Sequence, residues 1–252
     1  MKQLSSVTMG LPKQWLTVIG ARTSNGKSVL ALNMAYDLAI QKKRVFFLSL
    51  EMTIPRLVER LFCMQHTIHN YDLKQGQFAL NENLKNKWEE FSDFVQDLSF
   101  IASDMIGKDW KEVEEYLKKI SPKPDAVFID HIQEIRGLNQ KVAIDDYLSN
   151  MRELCIRNDF ALVICSQCNR LSYEDQKDVV RGPQLHHLKS TGDLEQKADI
   201  VLLLHWPYHY DKLKTRELLE INIAKNRDGE TGYQKLRFRP QNFLLSDWEE
   251  TP

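Results

Sequence analysis

Residues 15–28 read Trp-Leu-Thr-Val-Ile-Gly-Ala-Arg-Thr-Ser-Asn-Gly-Lys-Ser, an apolar run that passes into a loop of small residues. Counted from Ala21, the loop has the spacing Ala-x-x-x-x-Gly-Lys-Ser, which departs from the phosphate-binding pattern only in lacking a glycine at the first position. The β-branched residues 17–19 predict a buried strand, and the apolar spacing of residues 29–41 predicts a helix. Strand, loop and helix in this order are typical of a P-loop.

The predicted loop would turn backbone N–H groups toward a triphosphate at a helix N-terminus, where the helix dipole favours negative charge. Gly26 lets the main chain approach the phosphates, Lys27 supplies a positive charge, and Ser28 offers its hydroxyl to Mg²⁺. The alternative is an ordinary Gly-Lys-Ser turn at the start of a helix. We expect a nucleotide to contact the whole loop, namely Ala21, Arg22, Thr23, Ser24, Asn25, Gly26, Lys27 and Ser28.

The composition is that of an ordinary globular α/β protein. The 252 residues are enough for one large domain, and the formal net charge of -1 gives no general attraction to nucleic acid, so DNA binding would need a local basic surface. No apolar run approaches the roughly 18 residues that span a bilayer, and residues 1–10 do not read as a signal peptide.

Four cysteines without a secretory segment predict reduced thiols in a cytoplasmic protein. The Cys165-Ser-Gln-Cys168 pair lacks the partners of a metal site.

Three further strands are predicted to end in polar residues. Glu51 lies at the end of the predicted apolar strand 44–52, Asp130 ends the run 126–129, and Gln167 follows the run 160–165. Ligands of open parallel sheets bind at the carboxyl ends of the strands. There Glu51 would activate a water molecule, Asp130 would hold the Mg²⁺ hydration shell, and Gln167 would detect a γ-phosphate. The alternatives are a solvated strand-end glutamate and a glutamine that only satisfies a loop.

The C-terminal part predicts two antiparallel strands, 218–224 and 234–238, joined by a glycine-containing turn. Lys225 and Arg227 lie at the mouth of this hairpin. Because they are far along the chain from the P-loop, the specific hypothesis is a charge supplied in trans to the nucleotide of a neighbouring subunit. The alternative is an ordinary solvated hairpin. The adjacent pair His186 and His187 is expected at the surface.

Taken together, the motifs resemble those of the RecA-like ATPase domain of DnaB-type replicative helicases, over about residues 10–247. The segments that carry the resemblance are 20–28, 49–52, 128–133, 166–170, 191–199 and 223–232. The resemblance implies a single RecA-like P-loop NTPase domain over residues 1–252. Its fold class would be α/β, with a mainly parallel central sheet flanked by helices and a C-terminal antiparallel hairpin.

The family implies ATP and Mg²⁺ as cofactors, with Lys27 and Ser28 on the phosphates and the metal. It also implies Glu51 as the base, Asp130 as the metal-shell acid and Gln167 as the γ-phosphate sensor. Lys225 and Arg227 would reach the adjacent subunit in a homo-oligomeric ring, typically a hexamer. Loops 136–141 and 171–188 would face a channel for single-stranded DNA, with four candidate DNA-binding residues: Arg136, Lys141, Lys177 and Arg181.

Two departures from the family pattern leave the function open between alternatives. The N-terminal domain that meets primase, and the linker helix that braces subunits, are expected to be absent from this sequence. Glu174, Asp175 and Asp178 offset the cations of the second loop. The first hypothesis is a ring-forming DNA helicase or translocase with replication partner proteins. The second is a regulatory or assembly ATPase that acts on a partner protein without unwinding DNA. A nucleotide-binding scaffold is disfavoured, because a scaffold needs no water-activating carboxylate.

Overall fold

A twisted sheet with helices on both faces carries the candidate site residues in a computed structural model of the chain. The structure describes residues 1–74, 81–138, 141–169, 182–188 and 191–249. Within these ranges the strands are β1 (Leu16–Ala21), β2 (Val45–Ser49), β3 (Phe100–Asp104), β4 (Ala126–Asp130), β5 (Ala161–Gln167), β6 (Ile200–His205), β7 (Leu218–Asn226), β8 (Gly232–Arg239) and β9 (Leu244–Asp247). All of them belong to one sheet, in the order β3-β2-β4-β5-β1-β6-β7-β8-β9.

The helices of the described ranges are α1 (Lys2–Thr8), α2 (Lys27–Ile40), α3 (Ile54–His66), α4 (Asn70–Lys74), α5 (Glu82–Gln96), α6 (Trp110–Lys119), α7 (Lys141–Asn158), α8 (Thr191–Lys197) and α9 (Pro207–Tyr210). Helix α6 shows how the sequence sets these limits. Asp109 accepts hydrogen bonds from the backbone N–H groups of Lys111 and Glu112, and the Glu112 carboxylate returns to the N–H of Asp109. This capping box fixes the start of the helix.

Strands β1 to β6 pair in parallel, and β7, β8 and β9 add antiparallel pairs at one side. The central strands β1, β2, β4 and β6 are buried along their whole length, as expected for parallel strands covered on both faces. One core cluster packs α2, α3 and α5 against one face of the sheet, and a second packs α6 and α7 against the other. The predicted mainly parallel sheet with a C-terminal antiparallel hairpin is confirmed.

Several boundaries differ from the sequence predictions. The predicted hairpin extends to a third antiparallel strand, β9, whose Asp247 carboxylate accepts hydrogen bonds from the N–H groups of Lys2 and Gln3 in α1. The segment predicted as a loop at 136–141 ends in helix α7, which begins at Lys141. No helix within the described ranges is long and apolar enough to span a membrane.

Candidate nucleotide-binding site

The predicted P-loop connects β1, which ends at Ala21, to α2, which begins at Lys27. Gly26 precedes the helix with a φ of 86°, in the left-handed region where glycine is favoured. No described side chain caps the first turn of α2. Because the first N–H groups of a helix have no partner inside the helix, they remain available to an anionic ligand.

The side chain of Lys27 reaches across the loop to Asp130 at the end of β4. The Lys27 Nζ lies 3.4 Å from the Asp130 Oδ1, and the Asp130 side chain is 0% exposed. Among the described residues neither carboxylate oxygen of Asp130 has a hydrogen-bond partner. A buried carboxylate paired with the P-loop lysine is suited to the hydration shell of a divalent cation, and Ser28, the next residue after Lys27, lines the cleft of this site. The described residues contain no cluster of three or more His, Cys, Asp or Glu side chains placed to hold a metal directly.

Glu51 lies just beyond β2, and its carboxylate faces His131. The Glu51 Oε2 is 3.2 Å from the His131 Nδ1, while the His131 Nε2 is 3.5 Å from the Oε1 of Glu134. Burial lowers the pKa of His131, and the nearby Lys27 lowers it further. The Glu51 side chain is half-exposed beside this imidazole, so a water molecule can reach its carboxylate, as a general base requires. The sequence reasoning did not identify His131, although its position directly after Asp130 was a usable signal.

Gln167 ends β5 and contacts the P-loop directly. Its Nε2 donates to the Thr23 hydroxyl at 2.7 Å, and its backbone N–H donates to the Gln133 Oε1 at 2.9 Å. Gln133 in turn donates to the hydroxyl of Ser166 at 2.8 Å. The amide predicted to detect a γ-phosphate is thus held against the loop that would bind the phosphates.

Most of the P-loop, together with Glu51, His131, Glu134 and Gln167, lines one cleft of about 480 Å³. The buried Asp130 does not line the cleft and contacts it through the Lys27 ammonium. Its far end is formed by Trp206, Phe238, Pro240 and Phe243, and the Arg60 guanidinium lies 4.8 Å from the centre of the Phe243 ring. Burial lowers the pKa of Arg60, and the charges of Asp130 and Glu51 oppose that shift. A polar end with cations and carboxylates and an aromatic end together suit a nucleotide.

Arg56 and Arg60 were not identified from the sequence. They line the cleft from α3, which begins shortly after Glu51. Their spacing of four residues places them on the same face of the helix. That pattern, directly after the candidate base, was the signal that could have identified them.

Lys225 and Arg227 lie at the opposite end of the sheet from the P-loop, because β7 runs antiparallel to β6 and Lys225 pairs with Val201 near the start of β6. The Arg227 Nη1 donates to the Asp199 Oδ1 at 2.8 Å, and 61% of the Arg227 side chain is exposed. The Lys225 Nζ donates to the backbone carbonyls of Glu195 at 2.8 Å and Gln196 at 3.2 Å. Neither cation therefore belongs to the cleft of its own chain.

The candidate DNA-binding residues are only partly described. Arg136 is exposed and follows the short 3₁₀ turn Ile132–Glu134, which itself comes directly after the end of β4. Lys141 opens α7, and its side chain lies outside what is described. Lys177 and Arg181 fall within residues 170–181, outside the described residues. Asn169 and Leu188, on either side of that segment, lie at the carboxyl end of β5, since the Asn169 N–H donates to the His187 carbonyl at 2.7 Å.

The structure also bears on the predictions for the adjacent pair His186 and His187 and for the cysteines. His187 is buried and accepts a hydrogen bond from the Gln184 N–H at its Nδ1, so the expectation of two surface histidines is wrong for that residue and holds only for His186. All four cysteines are buried free thiols. Burial raises the pKa of Cys168 to about 12, which disfavours the thiolate that metal binding or redox exchange needs.

Comparison with known proteins agrees with this geometry. A family model described as "DnaB-like helicase C terminal domain" matches residues 1–246. A relative from Chlamydia psittaci, a "Probable plasmid replicative DNA helicase", is 30% identical over 228 residues, covering 88% of this chain and 49% of the relative. The chain thus spans about half the length of the curated relatives it matches.

Two solved structures show the same fold. A DnaB-like replicative helicase, studied with its interactions with primase, superposes with a TM-score of 0.89 and 24% identity, covering 99% of this chain and 61% of that one. The ATPase domain of a second protein superposes with a TM-score of 0.86 and 24% identity, covering 98% and 89% of the two chains. The RecA-like fold prediction is confirmed by these neighbours.

The family match covers almost the whole chain. The cleft brings together the P-loop and the strand-end glutamate and glutamine, and the buried aspartate pairs with the P-loop lysine. The chain belongs to the family of DnaB-like helicase C-terminal domains.

Proposed function

We propose that the chain hydrolyses ATP in the cleft and uses the energy to move along single-stranded DNA as one subunit of a ring. The observation that carries the proposal is the convergence of the P-loop, Glu51 and Gln167 on one cleft at the carboxyl edge of the parallel sheet, with the buried Asp130 paired to Lys27 of that loop. The P-loop and Gln167 supply the donors and positive charge that a triphosphate needs, Asp130 suits the metal shell, and Glu51 suits the attacking water.

The residues divide the chemistry of hydrolysis among them. The amides of the P-loop and the ammonium of Lys27 would bind the phosphates, and Ser28 and Asp130 would hold the magnesium ion and its water. When bound, Mg²⁺ neutralises charge on the phosphate oxygens. Glu51 would take a proton from the attacking water, since its carboxylate is half-exposed and lines the cleft beside the P-loop. Gln167 would donate to a γ-phosphate oxygen in place of the Thr23 hydroxyl it now contacts.

Hydrolysis would need a second copy of the chain. Lys225 and Arg227 lie outside their own cleft and at the other end of the sheet, which suits cations delivered to a neighbour. A subunit that presents a cleft at one side and a cation at the other would form a head-to-tail interface, and such an interface generates a ring when the rotation between subunits closes. A hexamer is the ring size that we propose from the family.

DNA would bind along the carboxyl edge of β4 and β5. Arg136 follows the end of β4, and Asn169 follows Gln167 at the end of β5, so a change in the γ-phosphate contact of Gln167 could reach the residues that follow β5. The relatives are replicative helicases, and one structural neighbour was studied with primase. We extend to this chain a role in replication and a contact with a partner of that kind.

A specific observation also favours a second candidate. Glu174, Asp175 and Asp178 reduce the net positive charge of the second loop, which suits an ATPase that acts on a partner protein rather than on phosphates of DNA.

ATP hydrolysis measured with and without single-stranded DNA separates the two candidates, with duplex DNA as the control. A translocase should be stimulated by single strands at low salt, with the stimulation falling as salt rises. A Mg²⁺-dependent rate that no DNA changes would favour the partner-directed ATPase.

A further inference from the structure

Apart from Trp206, which lines the cleft, the aromatic segment at residues 205–210 has no role in the chemistry above, yet it contacts the P-loop through the buried side chain of Asn25. Asn25 is 1% exposed and lies just before Gly26. Its Oδ1 accepts a hydrogen bond from the Trp206 N–H at 2.9 Å, and its Nδ2 donates to the Tyr210 hydroxyl at 3.0 Å and to the Thr23 carbonyl at 3.0 Å. One amide thus joins the loop to both ends of helix α9.

Both donors of the Asn25 amide are used, one inside the loop and one on Tyr210. Removal of the Tyr210 hydroxyl would leave a buried N–H group without a partner, and such a group is costly to bury. The Tyr210 ring makes two more contacts: it stacks on His205 at 5.5 Å, and the Arg22 guanidinium lies 5.8 Å from its centre. The segment therefore holds the loop at two places, Arg22 and Asn25.

We propose that Tyr210 is a positioning residue for the phosphate-binding loop, which it holds through Asn25 in the conformation that receives a triphosphate. The proposal rests on the proposed function, because it requires that the cleft bind a nucleotide. A loop that is already ordered loses less conformational entropy when the ligand binds. The predicted consequence is a gain in nucleotide affinity that depends on a hydroxyl outside the cleft.

The direct test replaces Tyr210 by phenylalanine, which keeps the ring on His205 and Arg22 and removes only the hydroxyl. Affinity is measured for a non-hydrolysable ATP analogue with Mg²⁺, and hydrogen exchange is measured at the amides of residues 22–27 without nucleotide. We expect affinity to fall about fivefold, since a neutral hydrogen bond contributes about 1 kcal/mol, and exchange in the loop to become faster. Tyr208→Phe is the matched control, because Tyr208 lies on the same short helix but its ring contacts the Lys212 Nζ at 4.3 Å. This variant should change neither the affinity nor the exchange.

A double-mutant cycle tests whether the effect passes through Asn25. In an Asn25→Ala background, Tyr210→Phe should weaken affinity no further, because the hydrogen bond is already lost. Additive effects would overturn the proposal, as would an affinity for Tyr210→Phe equal to that of the natural protein. Faster exchange spread evenly over the chain, with unchanged affinity, would show a role in global stability alone and would also overturn it.

The exchange measurement keeps this proposal separate from the proposed function. If the natural protein binds no nucleotide analogue, the proposed function fails. The loop exchange of Tyr210→Phe then still decides whether Tyr210 orders the loop, and unchanged exchange would contradict the positioning role independently.

Discussion

The Lys27 ammonium lies 3.4 Å from the carboxylate of Asp130, and both side chains are almost removed from solvent. The pair joins the first helical residue of the P-loop to the end of a strand two positions away in the sheet. Each charge compensates the other before any ligand binds. When a nucleotide binds with Mg²⁺, the phosphates would become the partner of Lys27 and the metal ion would become the partner of Asp130. The two side chains could then separate without leaving either charge unpaired.

Lys27→Ala should therefore abolish ATP hydrolysis and also destabilise the fold. The change leaves the Asp130 carboxylate buried without a cation, at a cost of about 3–5 kcal/mol. The double variant Lys27→Met with Asp130→Asn removes both charges, and we expect it to recover most of the thermal stability and none of the activity. Lys43→Ala, at an exposed position just before β2, is the control and should change neither. Hydrolysis at the natural rate in Lys27→Ala would remove the P-loop assignment.

Because His205 is buried, we predict that the folded protein loses stability in mild acid. Burial lowers the pKa of His205 to about 4, and the nearby Arg22 charge acts in the same direction. The unfolded chain takes up a proton near the ordinary histidine pKa of about 6.5 and the folded chain does not, so stability falls as pH drops from about 6.5 to about 4. The loss is about 3 kcal/mol at most, from the difference between the two pKa values.

Thermal unfolding measured between pH 7 and pH 4 gives the slope of stability against pH. His205→Gln should make this slope shallower, whatever its effect on stability at neutral pH. The matched change His209→Gln removes an exposed histidine of the next helix and should leave the slope as it is. Equal slopes for all three proteins would show that His205 is protonated in the folded state.

Arg227→Ala should leave nucleotide affinity nearly intact and reduce hydrolysis by about a thousandfold or more, the scale of an arginine finger. Loss of its contact with Asp199 should cost little stability, because most of the Arg227 side chain is exposed and Arg152 also binds that carboxylate at 2.9 Å. A cation that serves only its own surface would change hydrolysis hardly at all.

Mixing decides whether Arg227 acts in trans. Arg227→Ala subunits keep an intact P-loop, and Lys27→Ala subunits keep an intact arginine. Mixed rings should regain activity at each interface that pairs a good loop with a good arginine. Mixed rings that form normally but never exceed either parent would contradict the trans assignment.

The sequence predicted the strands that carry the site better than it predicted what surrounds the site. Buried parallel strands such as Ala126–Asp130 are apolar runs that end in one polar residue, so the position of Asp130 follows from the local pattern. The contact of Asn25 with Trp206 and Tyr210 joins residues about 180 positions apart. No local pattern indicates such a contact, because it depends on how β6 pairs with β1.

The same limit applies to the third antiparallel strand and to His187. β9 is four residues long, and its pairing with β8 is decided by the tertiary fold rather than by propensity. His187 is polar in sequence but buried, since the short turn Leu185–His187 gives its imidazole a backbone partner. Both features depend on contacts that form only in the folded chain.

The most direct measurement follows bound nucleotide and ADP formation together in Glu51→Gln, with Glu134→Gln, on the other side of His131, as the control. The amide has nearly the shape of the carboxylate but is too weak a base to take a proton from water. We predict that Glu51→Gln binds ATP with Mg²⁺ as tightly as the natural protein and forms almost no ADP, while Glu134→Gln still turns over. ADP formation at the natural rate in Glu51→Gln would contradict hydrolysis by Glu51 in this cleft.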